Sequence, residues 1–469
     1  MTTSLPGPGV ALVHGAALTG IDAQIIQVQA TIGTGAPGFA IIGVPSDGTR
    51  KIRDRVRAAV LNSGLPWPSA GITVGLGPAS LFRRGCGLDL PIAVAILTAI
   101  GTIPARAAAG HVFAAELGLD GRLRPVHGIG PVVAAAAVHN ERVTAVVAAQ
   151  NWPEAAALPG VTIVPGESLR EVAGWLRGEH PSVSVLPAPA GRTDGPAGQE
   201  DPGLSGLGVP PVLRQVLEAS AAGGHHLCLT GPPGAGIPAL AAELAALLPD
   251  LTGREAAEVT ALHSAAGLLG AERARTTQPP LRVPHHSVTM AAMAGGGTGI
   301  RPGEAALAHG GVLCLDDAPD FERAVLNVLH QPLRDHEIVL ARGGATARFP
   351  ARFILVAGMR PCPCGDVSVC TCTPARKRRY RARVTGVLGA WMPLRVAVAP
   401  LHLTDVTGDW PGGDADVGSA ARVADARDRM AHRLSGTPWR RNGDIPRHEL
   451  YRSYPVPGAG QTGVYGDTF

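Results

Sequence analysis

Residues 225–248 contain the feature that most restricts the fold of this chain. The segment from His225 to Thr230, with apolar residues at 227–229, predicts a strand, and the Ala/Leu-rich stretch from Ala239 to Leu248 predicts a helix. The segment that joins them, Gly231 to Pro238, has the sequence GPPGAGIP. A glycine loop between a strand and a helix is the frame of a phosphate-binding loop, whose backbone N–H groups surround the phosphates. We therefore predict an α/β domain with a parallel sheet.

The last two positions of this loop differ from the working pattern G-x-x-x-x-G-K-[ST]. Ile237 stands where Lys would contact the phosphates, and Pro238 stands where a hydroxyl would ligate Mg²⁺. The sequence leaves open whether the loop still holds a phosphate or only joins a strand to a helix. The candidate nucleotide-binding residues are Gly231, Pro232, Pro233, Gly234, Ala235, Gly236, Ile237 and Pro238.

A second motif lies at residues 311–317, where an apolar strand ends in two carboxylates. Asp316 is the candidate ligand for Mg²⁺, and Asp317 is the candidate acid that polarises the attacking water. A working site usually carries Glu at the second position, and the shorter Asp317 carboxylate falls about 1 Å short of it. These two catalytic residues are therefore degenerate candidates. The alternative is a strand end with two solvated acids.

Composition limits the class of protein without naming it. A chain of 469 residues forms two to three domains, and a net charge of +4 permits nucleic acid as a partner without requiring it. No N-terminal segment combines basic residues with an apolar run, and the longest apolar run, Leu90 to Ile100, is too short for a bilayer. Seven cysteines without a secretory signal favour a reducing cytoplasm, with no membrane partner.

The pattern of elements divides the chain into four parts. Residues 1–178 form a first domain, in which Leu90 to Ala99 is a buried helix and Asp120-Gly121 a hairpin turn. Residues 179–211 are rich in Pro, Gly, Ser and Ala and form a linker. Residues 212–400 alternate strand and helix. Residues 401–469 form a truncated or degenerate C-terminal lid, with a helix at 417–434 and a disordered tail.

Four cysteines lie within eleven residues, at positions 362–372. Their spacing is Cys362-x-Cys364-x₅-Cys370-x-Cys372. Four thiolates suit tetrahedral Zn²⁺, although C-x-C is tighter than the usual C-x₂-C spacing. The alternative is a loop of reduced cysteines without metal, and disulfides are disfavoured in a reducing compartment.

A basic run follows the cysteines directly. Six cations surround Tyr380, and the candidate DNA-binding residues are Arg376, Lys377, Arg378, Arg379, Arg381 and Arg383. Such a run can bind phosphates while the aromatic ring stacks on a base. The alternative is a solvated helix face.

Several segments together resemble one family. Residues 224–236 (GHHLCLTGPPGAG), 284–316 (PHHSVTMAAMAGGGTGIRPGEAALAHGGVLCLD) and 361–365 (PCPCG) resemble the magnesium-chelatase-like AAA+ ATPases of the ComM/YifB family. The motifs PGF at 37–39, RDRVRAA at 53–59 and DLPIA at 89–93 resemble that family's N-terminal domain, which shares the fold of the Lon protease's proteolytic domain.

The resemblance carries expectations about structure and activity. It implies a Lon-protease-like α+β domain followed by an AAA+ P-loop domain, use of ATP and Mg²⁺, a homo-oligomeric ring such as a hexamer, and work on DNA during recombination and transformation. The family's sensor Asn corresponds to Arg360, and its arginine thought to reach a neighbouring subunit corresponds to Trp391. Residues 85–89 lack the Ser of the Lon protease, and no base for Cys86 is identifiable, so no protease activity is expected.

From these departures we predict that the protein is a family member whose ATP hydrolysis is weak or absent. Two alternatives stay open. One is an active, ATP-driven hexameric branch-migration motor that tolerates the substitutions. The other is an inactive subunit or binding module in a mixed ring with an intact paralogue.

Overall fold

A computed structural model describes residues 10–43, 46–77, 87–139, 143–156, 158, 161–179, 209–269, 276–297, 300–342, 345–365, 370–399, 416–446 and 449. The strands are β1 Val10–Thr19, β2 Asp22–Ile32, β3 Gly38–Ile42, β4 Gly71–Gly77, β5 His111–Ala114, β6 Glu116–Leu117, β7 Leu123–Arg124, β8 Thr144–Ala148, β9 Thr162–Gly166, β10 Leu227–Thr230, β11 Leu281–Arg282, β12 Gly295–Gly296, β13 Arg301–Pro302, β14 Val312–Leu315, β15 Glu337–Arg342, β16 Ala345–Pro350, β17 Ile354–Met359 and β18 Leu394–Ala397.

The α-helices are α1 Ser46–Asn62, α2 Asp89–Ala99, α3 Ala105–Ala108, α4 Ile129–His139, α5 Trp152–Ala156, α6 Leu169–Leu176, α7 Pro211–Gly223, α8 Ile237–Ala246, α9 Gly253–Ala266, α10 Met290–Ala294, α11 Glu304–Leu307, α12 Arg323–Val328, α13 His330–Asp335, α14 Pro374–Leu388 and α15 Asp416–Leu434. None of the helices in the described part of the chain has the length and apolar character needed to cross a membrane.

The N-terminal sheet has seven strands in the order β3-β4-β2-β1-β5-β8-β9. Strand β2 pairs antiparallel with β1 and β4, whereas the pairs β1–β5, β5–β8 and β8–β9 are parallel. Helix α2 is apolar all round and buried along nearly its whole length, as its sequence predicts. Its first residue, Asp89, is buried and accepts hydrogen bonds from Arg55 and from the Leu117 N–H. The predicted hairpin at Asp120-Gly121 joins the antiparallel strands β6 and β7.

The second sheet has five parallel strands in the order β11-β14-β17-β10-β18. Every residue of β14 and β17 is buried, which explains their continuous apolar runs. Strand β10 begins at Leu227, so the prediction that it starts at His225 is wrong by two residues. His226 instead accepts a hydrogen bond through Nδ1 from the Leu355 N–H of the adjacent strand. This parallel sheet confirms the predicted P-loop α/β fold.

The C-terminal segment, residues 416–446, docks on this second domain. Its helix α15 packs on α7, where Glu218 accepts hydrogen bonds from Ser419 and Arg422. The turn after α15 places Arg441 in a buried position 4.0 Å from Glu255 at the start of α9. Asp444 forms an ion pair with Arg352, and its carboxylate lies 3.4 Å from His336 Nε2. The predicted helix at 417–434 is confirmed, and the predicted disordered tail lies outside the described residues, as do residues 180–208 of the predicted linker.

The two domains contact each other through the end of α9. The Gly128 N–H donates to the Ser264 carbonyl over 3.0 Å, and Ser264 Oγ donates to the Glu154 carboxylate. The same carboxylate accepts from the Gly130 N–H over 2.7 Å. Burial raises the pKa of Glu154, and these hydrogen bonds oppose that rise. Helix α9 therefore contacts the N-terminal domain at one end and the C-terminal segment at the other.

Candidate nucleotide site

The glycine loop lies at the carboxyl end of β10, the edge at which parallel α/β sheets bind their ligands. Gly234 and Gly236 have φ angles of 82° and 67°, a left-handed conformation that glycine adopts without strain. Gly236 directly precedes the first residue of α8, so the loop ends at a helix N-terminus. The Ala235 N–H donates to the Pro232 carbonyl over 3.1 Å, which closes the turn. The loop thus has the glycine turn and the helix N-terminus that a phosphate cradle uses.

Ile237 fills the space beside this cradle with an apolar side chain. The Ile237 side chain is 6% exposed. It packs so closely on Gly358 of β17 that a Cβ atom added to this glycine would lie only 2.9 Å from Ile237 Cγ2. The same added Cβ atom would lie 3.2 Å from Asp316 Oδ1. Ile237 and Asp316 therefore pack on the same glycine of the central sheet. A lysine in this place would lie near a carboxylate and the phosphates, whereas isoleucine offers neither charge nor hydrogen bond.

The two candidate acids follow β14 directly. Asp316 Oδ1 accepts the Asp317 N–H over 3.1 Å, and burial, followed by the charge of Asp317, raises the pKa of Asp316. Asp317 adopts a left-handed backbone conformation with φ of 50°, which Asp tolerates better than most residues. Asp316 lies beside the junction between the loop and α8, because its carboxylate and Ile237 both pack against Gly358. Asp316 is the candidate ligand of a Mg²⁺ ion, and Asp317 is the candidate acid that polarises the attacking water.

Arg360, at the sensor position, pairs with the second acid. Its Nε lies 2.9 Å from Asp317 Oδ1, and its Nη2 donates to the Asp320 carboxylate. Its guanidinium also lies 6.0 Å from the ring centre of Tyr380 on α14. One cation is therefore held by two carboxylates and an aromatic ring. The candidate water-polarising acid, Asp317, already has an internal positive partner.

Trp391 stands at the end of the short 3₁₀ turn after α14. It is partly buried and packs against the hydrophobic cluster that contains Leu388 and Met392. An indole in this position fills space against the core and carries no charge.

The four cysteines of the predicted metal site lie together. Cys362 Sγ is 2.8 Å from Cys364 Sγ and 3.3 Å from Cys370 Sγ, and all four sulfurs lie within 4.8 Å of one another. Cys362 is buried, Cys364 is exposed, and Cys370 and Cys372 are partly exposed. The loop that carries Cys362 and Cys364 also borders the nucleotide site, because a Cβ on Gly365 would lie 3.2 Å from Pro233 Cγ.

The basic run lies on α14, and its exposure corrects one part of the sequence prediction. Arg376, Arg378, Arg379, Arg381 and Arg383 are exposed and Lys377 is partly exposed. Tyr380 is only 6% exposed and lies beside Arg360, so the prediction that this ring stacks on a base is wrong. Helical geometry is the reason, because Tyr380, Val384 and Val387 share the buried face of α14.

Comparison with known proteins decides the family. The family model "Magnesium chelatase, subunit ChlI" matches residues 210–406, and "Subunit ChlI of Mg-chelatase" matches residues 28–151. The chain is 39% identical to an uncharacterized protein of Mycobacterium tuberculosis over 93% of this chain and 86% of that protein. It is 38% identical to the uncharacterized protein YifB of Escherichia coli (80% and 73% covered) and 36% identical to the competence protein ComM of Haemophilus influenzae (80% and 74% covered).

The chain belongs to the ComM/YifB-like magnesium-chelatase family of AAA+ proteins. In this ComM/YifB-like protein the mixed N-terminal sheet has the predicted α+β character. Its candidate protease position, Cys86, lies outside the described residues.

Sequence reasoning missed Asp320, the second carboxylate that holds Arg360. No local signal identifies it, because Asp320 lies in a short 3₁₀ turn after β14 while Arg360 follows β17. The two residues meet only because β14 and β17 are neighbours in the sheet. The charge at Arg360 was visible in the sequence, but its partners were not.

Proposed function

We propose that this ComM/YifB-like protein is a DNA-associated AAA+ protein of the competence and recombination type whose ATP hydrolysis is weak or absent. The ion pair of Arg360 with Asp317 carries the proposal. A cation placed on the water-polarising acid neutralises the charge that this acid needs for catalysis. A ring-shaped assembly, expected of the family, is part of the same proposal.

Two further features support the loss of hydrolysis. Ile237 removes the lysine contact to the phosphates, and Trp391 removes the arginine that the family offers to a neighbour. Loss of one preorganised electrostatic contact typically lowers a catalytic rate by about 10²–10³-fold. Because three independent contacts are changed, the combined defect leaves turnover at the level of background.

The DNA association is supported by α14 and by the relatives. Five exposed arginines on one helix offer positive charge to phosphates without the need for base contacts. The ComM relative is a competence protein by its name, which fits a role in handling DNA.

The test of hydrolysis is ATP turnover of the purified full chain with and without DNA. We expect phosphate release no faster than that of an Asp316→Ala variant purified in parallel, because both proteins lack a competent site. Turnover that DNA stimulates and that Asp316→Ala abolishes would contradict the proposal and establish the motor alternative. Any ATP turnover that the Asp316→Ala variant retains comes from a contaminating enzyme, and this rate is subtracted from that of the wild type.

The test of DNA binding is the salt dependence of affinity. We expect Arg378→Ala, Arg379→Ala and Arg381→Ala together to weaken binding evenly across DNA sequences. They should also reduce the slope of log K against log salt by up to about 2.7 on duplex DNA, or about 0.9 for each lost phosphate contact.

A matched control separates this effect from net charge. Arg57, Arg106 and Arg124 are exposed on the N-terminal domain, and replacing them by Ala removes the same three charges. The control should leave the slope unchanged. Equal slopes in the wild type and in the α14 variant would show that the helix is only a solvated face.

A further inference from the structure

We propose that Cys362, Cys364, Cys370 and Cys372 bind one zinc ion, which fixes the start of the arginine helix α14 to the loop that follows β17. The inference is independent of the proposed loss of hydrolysis, because none of the four thiols belongs to the nucleotide site. It concerns a structural metal, with four protein ligands and no open position.

The sulfur positions fit a single tetrahedral ion. Zinc–thiolate bonds of about 2.3 Å at tetrahedral angles require sulfur–sulfur distances of about 3.8 Å. The measured distances are 2.8 Å for Cys362–Cys364, 3.3 Å for Cys362–Cys370 and 3.5 Å for Cys364–Cys370. Since all four sulfurs fall within 4.8 Å, small side-chain adjustments suffice for ligation. An iron–sulfur cluster needs a wider cage than a single ion.

Backbone donors already point at the sulfurs. The N–H groups of Cys364 and Gly365 hydrogen-bond Cys362 Sγ, and the Cys372 N–H hydrogen-bonds Cys370 Sγ. Such N–H···S bonds hold the ligands in orientation. This arrangement distinguishes the cluster from cysteines that are merely close in sequence.

The charge around the cluster also suits a zinc–thiolate centre. Four thiolates and one Zn²⁺ carry a net charge of −2. Lys377 on α14 hydrogen-bonds Cys370, and exposed arginines follow it along the same helix. These cations offset the negative charge of the centre.

Disulfides among these cysteines would fit the structure less well than a zinc site does. None of the described cysteines is in a disulfide, and the shortest sulfur–sulfur distance, 2.8 Å, exceeds the disulfide bond length of about 2.05 Å. Two disulfides would also leave the N–H···S bonds without a negatively charged acceptor.

The position of the cluster gives the metal a role. Cys372 lies two residues before Pro374, where α14 begins, and Thr373 caps that helix by accepting the Arg376 N–H. Cys362 lies two residues after Arg360 of the nucleotide site. An ion that joins these cysteines therefore holds the arginine helix and the sensor residue in one fixed arrangement.

The experiment measures metal in the full-length protein, purified without chelators and without a metal-affinity column. We expect about one zinc per chain by mass spectrometry of metals. The double variant Cys364→Ser with Cys370→Ser, which changes exposed or partly exposed positions, should lose it. The control Cys228→Ala removes a buried thiol from β10, and it should retain full zinc.

Two further readouts keep the test decisive. Reduced, metal-free wild-type protein titrated with Co²⁺ should develop the absorption bands of a tetrahedral thiolate site, and the double variant should not. Removal of zinc should accelerate amide hydrogen exchange in α14 by at least about tenfold, because the helix loses its anchor. A wild type with neither zinc nor a cobalt spectrum would overturn the proposal. So would iron in place of zinc, or zinc unchanged in the double variant.

Discussion

Replacing Ile237 by Lys and Pro238 by Thr will raise the affinity for Mg²⁺–ATP by at least about tenfold and leave turnover near background. A hydrogen bond to a charged group is worth about 1.5–3 kcal/mol, and the double change adds a phosphate contact and a metal-ligating hydroxyl. A lysine at position 237 would lie beside the Asp316 carboxylate, because Ile237 and Asp316 both pack against Gly358. Isothermal titration calorimetry measures the affinity.

Hydrolysis needs further changes because binding and catalysis use different groups. Arg360 stays paired with Asp317 in the double variant, and Trp391 still offers no charge to a neighbour. We expect turnover only after Arg360→Asn and Trp391→Arg are added, since these release the acid and restore the arginine. The quadruple variant combined with Asp316→Ala serves as the inactive control. Robust turnover in the double variant alone would mean that the sensor and arginine positions are misassigned.

Asp444→Ala will detach the C-terminal segment from the second domain. The Asp444 carboxylate is only 11% exposed, and it contacts Arg352, His336 and the backbone N–H groups of Arg440 and Arg441. Removing one partner of a buried charge pair typically costs about 3–5 kcal/mol, because the other charge is left uncompensated. We therefore expect a lower midpoint of urea unfolding and faster proteolysis within residues 416–446.

Two variants calibrate this result. Asp444→Asn keeps an oxygen that accepts a backbone N–H and removes only the charge, so its effect should be smaller. Asp335→Ala breaks the exposed pair with the neighbouring Arg334 and should leave the unfolding midpoint unchanged. If Asp444→Ala behaved like Asp335→Ala, the C-terminal segment would owe its position to α15 and to the buried Arg441.

The strands and helices of the two domains were predictable where their signal is local. Helix α2 is apolar all round, and β14 and β17 are continuous apolar runs, so length and periodicity were sufficient. The substitutions at Ile237 and Pro238 were visible for the same reason, because the phosphate loop is a contiguous motif. The boundary of β10 was less predictable, since a hydrogen bond from the neighbouring strand to His226 sets it.

The partners of the charged residues were not predictable. Arg360 contacts Asp317 and Asp320 because β14 and β17 are adjacent in the sheet. The order of strands in a sheet cannot be deduced from the local periodicity of the sequence. Tyr380 was interpreted as an exposed base-stacking residue, and only the packing of α14 shows that it is buried. The C-terminal segment likewise looked degenerate in sequence, because its attachment depends on Asp444 and Arg441, which act on residues far away in the chain.

Helix α9 connects the N-terminal domain to the C-terminal segment. Its 14 residues span about 21 Å. Arg441 lies near one end, and the other end carries Ser264, which is bonded to Glu154 and Gly128 of the N-terminal domain. A rotation of the helix by about 10° around one end displaces the other by about 4 Å. Any tilt of α9 about its Arg441 end thus displaces the contacts at Ser264 and therefore acts on the N-terminal domain.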